Sequence, residues 1–177
     1  MKRKLRVHEN VAQDVGMFWI TYEGFVRVYA AIFCCRVLDG WRQISLDSGW
    51  FEGQMGGVIS GPSGFENPQW SLTINAPTAA YFCLSQSIGS KMKYIMLAVV
   101  PGGKKLKKPV GPSDIKCSRF FHSGAPNDSR EVGFDVPILP PGKYTLIAST
   151  FDPGQQGRCR VTIHLKEHGA FSKFEKL

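Results

Sequence analysis

The chain has 177 residues, 43% of them apolar, and a formal net charge of +8. That length supports one domain with its own core, and the apolar content excludes a disordered chain. The longest apolar run, residues 25 to 38, spans about 14 residues and carries Arg27 and Arg36, so it falls short of the roughly 20 needed to cross a bilayer.

The start, MKRKLRVHEN, is basic but continues into His8, Glu9 and Asn10 instead of a hydrophobic stretch, so no secretory signal is expected. With Lys2 at the second position, no N-myristoylation is expected. A helix is predicted over residues 21 to 34. Tyr22, Phe25, Val26, Tyr29, Ile32 and Phe33 recur at helical spacing behind Thr21, a favourable N-cap. Such a stripe needs a partner surface, so docking on another element or self-association is expected.

Residues 48 to 70, SGWFEGQMGGVISGPSGFENPQW, hold six glycines between aromatics. Neither G-x-x-x-x-G-K-[ST] nor a strand-linked G-x-G-x-x-G is present, which removes the usual phosphate cradles. Gly56-Gly57 and Gly61-Pro62 read instead as positions needing positive φ or a sharp reversal, with Trp50 and Phe65 anchoring the loop ends on the core.

From Gln43 onward the period falls to two. QISLDSGW, WSLTINA, AAYFCLSQ, KYIMLAVVP, KCSRFFHS, EVGFDVPIL, KYTLIASTF and GRCRVTIHL are eight predicted strands separated by Gly, Pro, Asn and Asp. The expected class is all-β, an antiparallel eight-stranded β-sandwich preceded by one α-helix. EHGAFSKFEKL, the last eleven residues, is expected to be a weakly helical or frayed tail.

The charge is unevenly placed. Residues 1 to 10 carry +3, residues 11 to 90 carry −3 and residues 91 to 177 carry +8. Its densest point is Lys104, Lys105, Lys107 and Lys108, between Gly102-Gly103 and Pro109, expected on a loop linking two strands. Such a run is either a solvated loop or a contact for an anionic surface. It has no interleaved aromatics on which bases could stack, so phospholipid is expected ahead of nucleic acid.

Catalytic and metal motifs are weak. The five cysteines (Cys34, Cys35, Cys83, Cys117, Cys159) include no C-x-x-C pair, which points to reduced, mostly buried thiols in a cytoplasmic protein. Asn67 in NPQW lacks a matching nucleophilic cysteine in a Gly-rich turn. HLKEH, His164 to His168, matches H-x-x-E-H formally, but that motif requires a helix and His164 ends a predicted strand. Glu131, Asp135 and Asp152 are isolated carboxylates without EF-hand spacing, so no metal site is expected.

Taken together, these segments resemble the calpains. GMFWITYEGFVRVYAAIF, residues 16 to 33 with Trp19, is similar to the close of the calpain protease core. Trp50, Gly53, Gly56, Gly57, Phe65, Asn67, Pro68 and Gln69 match the signature that opens calpain domain III. Pro141, Gly142, Tyr144, Ser149, Thr150, Phe151 and Pro153 match the segment that closes it.

The resemblance implies three parts: residues 1–40, a basic start and core-closing helix; residues 41–166, a C2-like, domain III-type sandwich; and residues 167–177, a tail. It implies a non-catalytic regulatory domain of a cysteine endopeptidase, because the family's catalytic Cys, His and Asn would lie upstream of residue 16; the alternative is a stand-alone C2-like module that binds membrane or nucleic acid. The expected partners are the protease core of the same parent and anionic phospholipid, giving a cytoplasmic or peripheral membrane location. No cofactor is implied for these residues. The family's acidic loop has no counterpart, since residues 70 to 86 contain no Asp or Glu. Calcium sensing is therefore an expectation for the parent alone.

Overall fold

A computed structural model describes residues 19–30, 36–87 and 91–177. The chain divides into two units, residues 1–37 and 38–177. In the first, α1 spans Tyr22–Val28, and Thr21 caps it by accepting a 3.1 Å hydrogen bond from the Gly24 amide. The helix is shorter than its apolar stripe predicts. Tyr29 is already extended (φ −102°, ψ 123°), and one glycine and two valines in seven residues give the helix little intrinsic propensity. Phe25 and Tyr29 stack with ring centroids 4.7 Å apart. Ile32, Phe33, Cys34 and Cys35 lie outside the described residues.

The second unit is an all-β sandwich. Its strands are β1 (Arg42–Trp50), β2 (Gln69–Ile74), β3 (Thr78–Gln86), β4 (Ile95–Pro101), β5 (Phe121–His122), β6 (Glu131–Leu139), β7 (Gly142–Thr150), β8 (Gly157–Leu165) and β9 (Phe171–Lys176), with a short helix α2 (Pro112–Ile115). One sheet has the order β1-β8-β3-β6, the other β5-β4-β7-β2-β9, and every pairing is antiparallel.

Alternate residues of both sheets meet in the middle. Trp70 and Leu72 of β2, Phe82 and Leu84 of β3, Leu97 of β4, Tyr144 and Leu146 of β7 and Val161 and Ile163 of β8 are all fully buried there. Each such side chain contributes roughly 1.5–3 kcal/mol. A second apolar cluster lies on the outer face of the five-stranded sheet. Met96, Ala98 and Val100 of β4 and Ile147 of β7 are covered by Ile59, Leu106, Val110 and Phe120 from irregular segments. Burial on both faces is why IMLAVV of β4 is a continuous apolar run with no alternation.

Two expectations are corrected here. Among the described residues there are nine strands, not the eight expected, because the last residues form β9 along β2. A register shift opposite Thr73 and Ile74 lets Phe171 and Phe174, three residues apart, both pack on the core. That broken period hid the strand. KCSRFFHS, conversely, is mostly turn, and only Phe121 and His122 pair with β4.

Candidate functional site

The opening signature and the second part of the closing one, Ser149 to Pro153, far apart in sequence, fold into one loop cluster at the ends of β1 and β7. Trp50 is fully buried, and its indole N–H donates to the Ala148 carbonyl at 3.0 Å. The following loop is stitched to the turn after β7. The Val58 amide donates to the Phe151 carbonyl at 3.1 Å, and the Gly154 amide donates to the Met55 carbonyl at 2.9 Å.

Gly57 sits at φ +72°, and a Cβ there would lie 2.8 Å from the Pro153 nitrogen. At Gly56 a Cβ would collide with the Ser63 carbonyl. These two positions admit glycine for different reasons, one of backbone conformation and one of contact.

Asn67 and Gln69 are structural clamps. Asn67 is buried, and its Nδ2 donates to the carbonyls of Gly57 (2.7 Å) and Gly64 (2.8 Å). Pro68 presents its carbonyl to the Ala148 amide at 3.1 Å. Gln69 Nε2 donates to the Phe65 carbonyl at 2.6 Å, while its Oε1 accepts the Leu106 amide at 2.7 Å. Phe65 itself is half-buried and packs on neither apolar cluster, so Asn67 and Gln69 perform the anchoring expected of it.

Thr150 Oγ1 donates to the Asp152 carbonyl at 2.8 Å, and the Ser149 hydroxyl is buried without a hydrogen-bond partner among the described residues. Gly53 adopts φ +77°, and Phe151 and Pro153 are exposed. Pro141 and Gly142 open β7 at its far end, where the buried Tyr144 donates its hydroxyl to the Pro140 carbonyl at 2.7 Å. Burial pushes the Tyr144 phenol above its ordinary range. Trp19, in the other unit, is 80% exposed.

Through Gln69 the cluster reaches the lysine loop. Lys104, Lys105, Lys107 and Lys108 are all exposed, but the backbone that carries them is fixed. Thr145 Oγ1 donates to the Lys104 carbonyl at 2.8 Å, the Val110 amide donates to the Ile59 carbonyl at 3.0 Å, and Leu106 packs into the outer apolar cluster. The loop runs from β4 into α2, not directly into a strand as expected, because Pro112 starts a helical turn whose Asp114 carboxylate accepts the Gly111 amide at 2.9 Å. Sequence reasoning missed Leu106 and the Gln69 clamp. An isolated leucine among four lysines was the available signal.

Among the described residues no group of His, Cys, Asp and Glu could hold a metal. His164 lies on β8 beside Tyr81, whereas His168 belongs to the turn beyond and its Nε2 lies 2.6 Å from the Gly40 carbonyl. The H-x-x-E-H residues therefore do not converge. Burial pushes the Cys159 thiol up to about 12, the reverse of an activated nucleophile. Among the described residues no helix is long and apolar enough to cross a membrane.

No protein-family model matches the chain. It is similar to calpain-5 of Rattus norvegicus, 28% identical over 85% of this chain and 27% of that protein. It is also similar to the calpain-type cysteine protease DEK1 of Zea mays, 25% identical over 94% of this chain and 8% of that protein. Calpain-like protease palB/cpr-8 of Neurospora crassa is 28% identical over 67% of this chain and 15% of that protein. The chain thus spans less than a third of the length of these relatives.

Proposed function

Because this chain is a calpain-like relative, we propose that it is the non-catalytic regulatory and interaction segment of a longer cysteine endopeptidase. Residues 41–166 would be the C2-like, domain III-type part, residues 1–40 the piece adjoining the protease core, and residues 167–177 the completing tail. The observation that carries this reading is the loop cluster. The stretches that match the opening and closing signatures of domain III hold one another in place: Trp50 donates to the Ala148 carbonyl, the Ala148 amide to Pro68, Val58 to Phe151 and Gly154 to Met55, and Gly57 lies against Pro153, while Asn67 and Gln69 brace the opening stretch itself.

On this reading the parent acts in the cytoplasm, and the segment's first partner is the protease core of the same chain. Incubation with casein and with a fluorogenic peptide, with and without calcium, should give no cysteine-dependent cleavage. Cleavage that an alkylating agent abolishes would end the reading.

A second role rests on the lysine loop, whose charged side chains are exposed while its backbone is tied down. Each Lys near an anionic leaflet contributes roughly 1 kcal/mol, so four give about 4 kcal/mol, an association constant on the order of a thousand per molar. Contact that weak requires a second attachment to hold a protein at a membrane. Binding to phosphatidylserine vesicles should be salt-sensitive, calcium-independent and lost when the four lysines become alanine. Co-sedimentation that needs calcium, or that survives the quadruple substitution, would refute it.

A further inference from the structure

On the outer face of the four-stranded sheet, β1, β8 and β3 form a groove of about 560 Å³ whose lining includes Asp47, Phe51, Ser85, Ser87, Arg158 and Arg160. The pairing register sets Asp47, Arg160 and Ser85 side by side in one row. The next row places Gly49 beside Arg158, whose carbonyl accepts the Ser87 amide at 3.2 Å. Phe51 closes over Gly49 so tightly that a Cβ there would sit 2.6 Å from its ring carbons. One wall of the groove is thus an aromatic ring that is 48% exposed.

The two arginines differ. Arg160 is spent on Asp47 in a bidentate pair, Nε to Oδ1 at 2.7 Å and Nη2 to Oδ2 at 3.0 Å, which holds the Asp47 carboxyl below its ordinary range. The Arg158 side chain, one pleat away on the same face, makes no hydrogen bond or ion pair among the described residues. Two arginines and one aspartate line the groove, with Glu131 beyond Ser85 in the same row and the Lys93 ammonium beside Gly157 at the rim, so the local balance is one positive charge beside the Ser85 hydroxyl and an apolar wall.

We propose that this groove binds an acidic peptide segment, with one carboxylate side chain on the Arg158 guanidinium and a neighbouring apolar side chain against Phe51. A single net charge matches a monoanionic carboxylate better than a doubly charged phosphate, which would face the Asp47 carboxylate unrewarded. A free carboxylate on so exposed an arginine gains little, so the ligand is a chain that adds further contacts along the groove. The site lies on the opposite sheet from the lysine loop and is independent of the lipid reading.

The test is fluorescence anisotropy with a fluorescein-labelled peptide, Gly-Leu-Glu-Glu-Leu-Gly, and its glutamine counterpart. The chain carries Lys104→Ala, Lys105→Ala, Lys107→Ala and Lys108→Ala, so that the lysine loop cannot contribute. The glutamate peptide should bind saturably and the glutamine peptide about tenfold more weakly. Arg158→Ala should lose about tenfold, and Arg158→Lys should fall between, because it keeps the charge without the planar fork. Asp47→Asn should bind more tightly, since it releases Arg160 and doubles the net charge. A merely structural arginine would not produce that gain. The proposal is overturned if binding is not saturable at millimolar peptide in this background, if Arg158→Ala binds like its parent, or if Asp47→Asn binds no more tightly.

Discussion

Residues 51 to 68 and residues 102 to 111 are built from similar materials. Both are irregular, both are punctuated by Gly and Pro, and both drape over the sandwich. In the first, glycine is sterically required, since Gly56 and Gly57 lie where a Cβ would strike Ser63 and Pro153. The second also needs its glycines, since Gly102 and Gly103 sit at φ +137° and +67° and a Cβ on Gly103 would lie 2.7 Å from the Lys143 Cβ, but there the side chains at Lys104, Lys105, Lys107 and Lys108 face solvent. Yet both backbones are held, and one buried amide, Gln69, serves the two at once. A loop is fixed by where its backbone donors and acceptors find partners, not by how polar its side chains are.

Trp50→Ala should cost about 4 kcal/mol in urea unfolding, because it empties a fully buried site and removes the bond to Ala148. A loss under about 1 kcal/mol would mean that the glycine loop does not hang from the core. Gln69→Ala should cost about 2 kcal/mol. It should also release amide exchange at Leu106 while leaving Leu97 and Leu146 protected, and equal release everywhere would deny the clamp. The quadruple lysine-to-alanine chain should differ from the parent by less than about 0.5 kcal/mol, because those side chains are exposed.

The smallest effect is one of pH. Burial lowers the His164 pKa from its ordinary 6.5, so the unfolded chain binds this proton more readily than the folded one. The contribution of neutral His164 is present above 6.5 and is lost as pH falls through the lower folded value. His164→Gln should flatten that part of the stability profile, and an unchanged slope between pH of about 7 and 5 would contradict it.

The sandwich was legible wherever one face is buried, as in WSLTI and GRCRVTIHL, because alternation records that burial directly. It was not legible in FSKFEK, where a bulge restores the inward direction after three residues instead of two. The apolar spacing overruns the helix because it marks a face and not an end, while Tyr29 leaves the helix through its extended backbone. Asn67 and Gln69 were visible as a signature, yet their hydrogen bonds depend on Gly57, Gly64 and Leu106 arriving from elsewhere, which no local pattern encodes. The groove at Arg158 depends on register across three strands and left no trace in any one segment.

The strand order has one more consequence. In both sheets, strands from before the lysine loop alternate strictly with strands from after it: β1, β8, β3, β6 in one, and β5, β4, β7, β2, β9 in the other. Every hydrogen-bonded neighbour of a strand in the first half therefore belongs to the second half, as the teeth of a zip belong to opposite tapes. Covalent continuity at residues 102 to 111 is redundant once the sheets have formed. A chain severed between Lys107 and Lys108 should migrate as one body on a native gel and come apart only in denaturant, and neither fragment expressed alone should assemble either sheet.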